Sequence, residues 1–370
     1  MTVSKSETSN HRRLIAPNKA RITLELLTWY DANRRVFPWR AKHGGRSNPY
    51  RVWLSEIMLQ QTTVQAVDGY YRAFLKRWPN VTALANASLD DVLAAWAGLG
   101  YYSRARNLHR TAQIVAFESC GRFPKSAAEL KKLPGIGPYT AGAIASIAFG
   151  ERVAAIDANG ERVLSRLFAL EEPVPKMRRN MAGLADALVP VERPGDFAQA
   201  LMDLGSLICT PKSPNCGVCA VAQDCLALRR GLCEKLPVRI SKPERPTKRG
   251  AAFIAVDRKG AVLLERRAEK GLLGGMMQPP LGAWRKTFPT RARAIKEVPF
   301  SGKWAKVPGF VRHSFTHFHL EIEVYVARFH RRPNFDGVWV TGEKLGQAAL
   351  PTAMKKLIHH ALDVKKNRGR

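Results

Sequence analysis

From about Ile22 to Leu228, apolar residues recur at helical spacing between Gly and Pro punctuation, and β-branched runs are scarce. This half reads as all helical. The stretch starting near Arg51, RVWLSEIMLQQTTV, puts Leu54, Ile57, Met58 and Gln61 on one stripe, the pattern of a core-facing helix, with Glu56 beside it. Ser126 and Glu129 have the spacing of a capping box, and that helix stops at Leu133-Pro134-Gly135-Ile136-Gly137-Pro138, where another starts. A further helix is expected over Glu161 to Phe168. Leu236 to Arg249 (LPVRISKPERPTKR) is too polar and too broken by proline to pack as an element, and reads as a linker within 231–250. Beyond it, short apolar runs at Ala251 to Val256 and Ala261 to Arg266 flank the turn Asp257-Arg258-Lys259-Gly260, and Glu321 to Phe329 is another strand-like run. Pro351 to Val364 reads as a helix with proline at its start and lysines at its end. The pattern predicts an all-helical domain over 20–230 and a mixed α/β domain over 251–365, with no internal repeat.

Length agrees, since 370 residues are too many for one ordinary domain. Lys and Arg number 60 against 30 Asp and Glu, a formal net charge of +30 that repels itself unless a polyanion is the usual partner. Nucleic acid is the first candidate, with an anionic membrane surface or a generally basic proteome as the alternatives. No run approaches the roughly 18 apolar residues of a membrane span, and Met1 to Ile15 is polar with no apolar signal core. The expectation is an intracellular enzyme, cytoplasmic and nucleoid-associated in a bacterium, nuclear or organellar in a eukaryote. Of six cysteines, Cys209, Cys216, Cys219 and Cys225 crowd together with six, two and five residues between them, while Cys120 and Cys233 stand apart. In a reducing compartment such spacing points to a metal site rather than disulfides, and by itself suits zinc and iron–sulfur equally.

Two local patterns carry chemistry. At Gly135-Ile136-Gly137-Pro138 the glycines allow a tight turn, Pro138 suits the first helical position, and backbone N–H groups at the helix start form a phosphate site. This resembles the helix-hairpin-helix of DNA repair glycosylases, which fixes register on a duplex without reading its sequence. Glu56, partly inside apolar surroundings, should have a raised pKa and so be able to donate a proton at neutral pH, although most helical glutamates simply face solvent.

Asn48-Pro49-Tyr50 through Gln60-Gln61-Thr62 closely resembles the catalytic segment of the MutY family of adenine DNA glycosylases. Gly98-Leu99-Gly100-Tyr101-Tyr102-Ser103-Arg104, Ile156-Asp157-Ala158-Asn159, Met202-Asp203-Leu204-Gly205 and the four cysteines follow in that family's order. The likeness runs from about Trp29 to Cys225 and resumes at Gly271-Leu272-Leu273-Gly274-Gly275 and Arg312-His313-Ser314-Phe315-Thr316-His317, which look like the family's Nudix-like lesion-reading domain.

The resemblance implies a monofunctional DNA glycosylase of base excision repair, a monomeric hydrolase acting on adenine opposite 8-oxoguanine or guanine in duplex DNA and open to contacts with repair or replication proteins. Glu56 would protonate the adenine ring. Asp157 would stabilise the oxocarbenium-like sugar, or bond to it transiently, with Tyr139 and Asn159 in support. Gln60 and Tyr101 would hold the opened duplex, and Trp39, Arg40, Leu59, Gln61 and Asp203 would line the adenine pocket. Phe315, Thr316 and His317 would meet 8-oxoguanine. Cys209, Cys216, Cys219 and Cys225 would hold a 4Fe-4S cluster.

Two positions depart from the family pattern: Ala158 stands where glycine is usual, so the backbone there must avoid positive φ, and Thr316 stands where serine is usual, adding a methyl group. Three other readings compete. An endonuclease III-like glycosylase/lyase needs a lysine two residues after Gly137, and the residue there is Tyr139. Nudix hydrolysis needs an acidic metal-binding helix after Gly274-Gly275, where Met276-Met277-Gln278-Pro279-Pro280 follows instead. A non-catalytic iron–sulfur DNA-binding protein has no use for both Glu56 and Asp157.

Overall fold

The structure, a computed structural model, describes residues 17–42, 45, 47–240, 243–269, 271–346 and 348–363. By contact the chain divides into two compact units, one of residues up to Glu56 with Phe123–Ser241, the other of Ile57–Arg122 with Lys242–Arg370. The helical stretch expected to form one domain over 20–230 therefore contributes to both. The cause lies in the second unit's own contacts. Arg266 pairs with Asp90 at 2.7 Å, Arg106 donates to the Gly274 carbonyl, and the Tyr101 hydroxyl meets Thr316 Oγ1 at 2.6 Å, joining helices of residues 57–122 to the C-terminal sheet.

The first unit is helical, as its 3.6-residue periodicity requires. Lys19–Asn33 contributes Ile22, Leu26 and Tyr30 to the core, Ala158–Leu167 contributes Val163, Leu164 and Leu167, and Pro194–Leu207 contributes Phe197, Leu201 and Leu204. Each aliphatic side chain and Phe197 among these contributes about 1.5–3 kcal/mol by leaving water. The Ala158–Leu167 helix begins three residues before the expected Glu161, because Asp157 is its N-cap and accepts from the Gly160 N–H at 2.7 Å. Ala158 is its first helical residue and keeps a negative φ, as its side chain requires.

At the hairpin, Ser126 caps Ala127–Leu130 by accepting from the Glu129 N–H at 3.3 Å, but the Glu129 carboxylate takes Lys132 at 2.7 Å instead of returning to the cap. One glycine of the pair makes the turn. Gly135 is left-handed at φ 77, whereas Gly137 is an extended N-cap at φ −85 with open space where a Cβ would stand. Gly137 thus leaves the helix start of Pro138–Phe149 bare rather than relieving backbone strain.

The stretch 231–250 is a linker over less of its length than its composition predicts. Leu236 is buried beside Ala169 and Ala227, its carbonyl accepts from Arg166 Nε at 3.0 Å, and the Val238 carbonyl accepts from the Val174 N–H. At its other end β1 already starts at Thr247. This strand, Thr247–Asp257, runs parallel to β6, His319–Phe329, from Thr247 against His319 to Asp257 against Phe329, so its polar first residues are held by a backbone ladder and by Arg249 bonding Glu321 at 2.8 Å. Between them in sequence lie β2 (Val262–Arg266), β3 (Met277–Gln278), β4 (Ala305–Lys306) and β5 (Val311–Ser314), with β7 (Val338–Val340) after β6. The strand order is β3-β2-β1-β6-β4, with β5 also pairing β6 and β7 pairing β2. The β1–β2 turn is fixed by Asp257 Oδ1, which accepts from the Lys259 and Ala261 N–H groups. Ala251, Phe253 and Ala255 face Ala294 of the Arg291–Lys296 helix on one side of the sheet, while the Thr352–Asp363 helix buries Met354, Leu357 and Ile358.

Candidate active site

Glu56 comes from the Pro49–Leu59 helix and is only 5% exposed. Burial pushes its carboxyl up to about 7, the nearby Asp157 charge adds to the rise, and the Tyr139 hydroxyl and Arg40 restrain it. Among the described residues its Oε2 has no hydrogen-bond partner, although the atom is buried. The Tyr139 hydroxyl that restrains Glu56 belongs to the second residue of the Pro138–Phe149 helix and donates to Met202 Sδ at 3.9 Å, and burial raises the phenol well above its ordinary value. Tyr139 therefore stays a neutral donor. A buried acid near neutrality with one bare oxygen can give a proton to a base that enters the site.

Asp157 is fixed at both oxygens, Oδ1 by the Gly160 N–H at 2.7 Å and Oδ2 by Asn159 Nδ2 at 2.7 Å. Asn159 is in turn oriented by Arg162, whose Nη2 donates to its Oδ1 at 2.9 Å and to the Gly205 carbonyl at 2.6 Å, while Nε donates to the Cys209 carbonyl at 2.7 Å. Arg162 is 4% exposed, a buried cation whose donors end on carbonyls. A Cβ on Gly205 would lie 2.7 Å from Asn159 Cβ, so the glycine sets how closely its helix meets the Asp157–Asn159 turn.

The Asp203 carboxylate is fully buried and shared by two arginines. Arg40 reaches Oδ2 at 2.6 Å and Oδ1 at 2.9 Å, and Arg35 Nε reaches Oδ1 at 2.7 Å. Burial opposes its charge, yet the Arg40 and Arg35 bonds hold the carboxyl below its usual range. Asp203 thus orients Arg40, whose guanidinium lies over the Phe37 ring, and Phe37 stacks on Trp39 with centroids 5.0 Å apart.

In the second unit Leu59 and Gln60 are half-buried, and Gln61 and Tyr101 are exposed. Gln61 and Tyr101 both have left-handed backbone, at φ 57 and 48, a conformation that costs energy for side-chain-bearing residues and clusters at functional sites. One residue sets both segments. Buried Arg104 donates to the carbonyls of Ile57 and Met58 at 2.9 Å and of Leu99 at 3.0 Å, and to Thr62 Oγ1 at 3.1 Å. Burial lowers its pKa to about 10. Phe315, Thr316 and His317 form the tip of the β5–β6 hairpin, closed by the Phe315 N–H on the Phe318 carbonyl at 2.9 Å, with Thr316 beside Tyr101 rather than inside a strand.

Cys209, Cys216, Cys219 and Cys225 line one cavity, joined there by Cys233. Its walls include Val163, Leu167 and Leu204. Arg166, 2% exposed, points Nη1 at Cys209 Sγ (3.2 Å) and at the Thr210 carbonyl (2.7 Å). Asp224, between the last two cysteines of the four, ties this loop to the first helix through two bonds from Arg21 at 2.8 Å. Arg35, Arg104, Arg162 and Arg166 were not predicted as site residues. A local signal exists only for Arg162 and Arg166, four apart on one face of an amphipathic helix, since Arg35 lies outside any helix and Arg104 in a polar one.

Two family models match, one described as HhH-GPD superfamily base excision DNA repair protein over residues 54–185 and one as NUDIX domain over residues 251–360. The adenine DNA glycosylase of Homo sapiens is 34% identical over 395 residues, which cover 90% of this chain and 72% of that protein. The chain belongs to the adenine DNA glycosylase family. The family member of Buchnera aphidicola subsp. Schizaphis graminum is 32% identical over 90% of this chain and 96% of its own. Among solved structures, a thermostable thymine-DNA glycosylase superposes with a TM-score of 0.51 at 28% identity, covering 57% of this chain and 97% of that one. This family member is a base excision repair glycosylase, and its sheet domain is of the Nudix type, as the sequence implied. No helix among the described residues is long and apolar enough to cross a membrane.

Proposed function

We propose that this glycosylase hydrolyses the N-glycosidic bond of adenine paired with 8-oxoguanine or guanine, leaving an abasic site in an unbroken strand. The observation that carries the proposal is the buried Glu56 carboxyl, with Oε2 unpartnered, electrostatically coupled to an Asp157 whose two oxygens are both fixed.

Adenine leaves slowly as an anion, so the proton has to arrive as the bond to C1′ breaks. Glu56 gives its proton to a ring nitrogen, the bonding electron pair goes to the base, and adenine leaves neutral. The positive charge left on the sugar is met by the Asp157 carboxylate, which closes on C1′ to form an ester. Glu56, now a carboxylate, takes a proton from water as that water attacks C1′, the ester bond breaks, and both acids return to their starting state. Tyr139 lowers the Glu56 pKa and stands where a lyase would need an amine, so no Schiff base forms. Trp39, Arg40, Leu59 and Gln61 are the residues that would meet the adenine, with Arg40 held by Asp203. Gln60 and Tyr101 support the opened duplex. Gly135 and Gly137 grip the backbone, and Thr316 with Phe315 and His317 reads 8-oxoguanine.

Cys209, Cys216, Cys219 and Cys225 suit a 4Fe-4S cluster, with sulfurs collected between apolar walls and Arg166 directed at one of them. Burial pushes the Cys219 thiol up to about 11, so a thiolate here calls for a compensating cation. When bound, the cluster would crosslink the loop that also supplies the Cys209 carbonyl to Arg162.

The test is Glu56→Gln in single-turnover reactions on duplexes with adenine opposite 8-oxoguanine. DNA affinity should be kept and adenine release should fall by about 10²–10⁴-fold or more; release at the wild-type rate removes Glu56 from the mechanism.

A further inference from the structure

Cys233 lies outside the four-cysteine spacing, yet it faces the same cavity, with its Sγ 3.9 Å from Cys216 Sγ. The contact is a thiol hydrogen bond, and its length also fits one metal position, since for metal–sulfur bonds of about 2.3 Å two thiolates on one tetrahedral metal stand about 3.8 Å apart. The separation is built into the backbone. Leu232, next to Cys233, donates its N–H to the Ala227 carbonyl at 2.8 Å and accepts from the Lys235 and Leu236 N–H groups, while buried Leu236 anchors the segment. Two of the other sulfurs have different contacts, Cys209 Sγ with Arg166 Nη1 and Cys225 Sγ with the Arg166 carbonyl.

We infer that Cys233 is a reserve ligand, able to take over the metal corner held by Cys216. The inference rests on the iron–sulfur reading of the cavity. In the exchange the Cys233 thiol gives up its proton and forms an iron–sulfur bond, the bond to Cys216 breaks, and the Cys216 thiolate takes up a proton. No electron is transferred and no co-reactant is needed. Cys233 would therefore keep a sulfur ligand on that corner of the cluster when Cys216 is oxidised or absent.

The test is the iron and acid-labile sulfide content, with the visible absorption, of the full chain purified without oxygen. Wild type and Cys233→Ala should carry about four irons each, Cys216→Ala more than about half of that, and Cys219→Ala and the Cys216→Ala/Cys233→Ala double variant less than about a tenth. Cys216→Ala as empty as the double variant, or a double variant as full as wild type, overturns the inference while leaving the cluster intact. A colourless, iron-free wild type instead overturns the cluster reading itself. Iron release to a chelator from Cys233→Ala, which keeps all four expected ligands, decides the matter should Cys216→Ala fail to fold. Release several-fold faster than wild type supports the reserve role, and an equal rate overturns it.

Discussion

Glu56→Gln should stabilise the folded protein in alkaline solution and leave its stability nearly unchanged in acid. The folded carboxyl is raised from its ordinary 4.5 to about 7 by burial. The folded state therefore holds this proton more tightly than the unfolded chain, and the group's contribution to stability falls as pH rises from 4.5 through 7, then stays level. At 1.36 kcal/mol for each pH unit between those values, the cost of the buried charge above pH 7 is about 3 kcal/mol. The amide keeps the side chain's size but carries no charge at any pH. Urea unfolding followed by circular dichroism at pH 5 and pH 8.5 should therefore show the variant's advantage over wild type growing by about 2.5 kcal/mol, equivalent to roughly 5–10 °C in Tm. The same titration sets the reaction's pH limit, since wild-type adenine release should drop about tenfold for each pH unit above 7 as the acid is lost. A stability difference that is the same at both pH values would refute the claim that this site penalises a charged Glu56.

Thr316→Ala should reduce the preference for 8-oxoguanine:adenine over guanine:adenine by about 1 kcal/mol, or roughly fivefold, through loss of the hydroxyl at the hairpin tip, and unchanged discrimination in single-turnover assays would reject that role. Gly205→Ala should cost about 1–3 kcal/mol and slow catalysis well beyond its effect on DNA binding, because its Cβ must displace Asn159, which holds Asp157; single-turnover rates alongside a binding titration check this, and an unchanged rate refutes it.

The parts of the site written as local patterns were legible. Glu56 sits beside a helical stripe and lies on the expected helix, and Asp157 stands ahead of a helix as expected, although as its cap, three residues nearer than Glu161. Thr247 was missed as a strand residue because β1 begins with Thr247-Lys248-Arg249, residues whose extended conformation depends on a parallel partner 72 positions away. Leu236 was read as linker because its apolar neighbours, Ala169 and Ala227, come from elsewhere in the chain. The association of residues 57–122 with the sheet had no local signal, since it rests on polar pairs such as Arg266 with Asp90 and Tyr101 with Thr316. The buried arginines were hidden for a related reason. In isolation Arg104 and Arg162 look like solvated helix residues, and only the carbonyls gathered around them reveal their work.

The central claim is that two carboxyls excise adenine without cutting the strand. Its most direct test is single-turnover reaction of the wild-type chain with duplexes carrying adenine opposite 8-oxoguanine, guanine or cytosine, followed for free adenine, for strand cleavage and for borohydride trapping. Adenine release should be fastest opposite 8-oxoguanine and slowest opposite cytosine, with the strand intact until alkali is added and little protein trapped on DNA. Strand cleavage with efficient borohydride trapping, or no adenine release from any of the three, would contradict it.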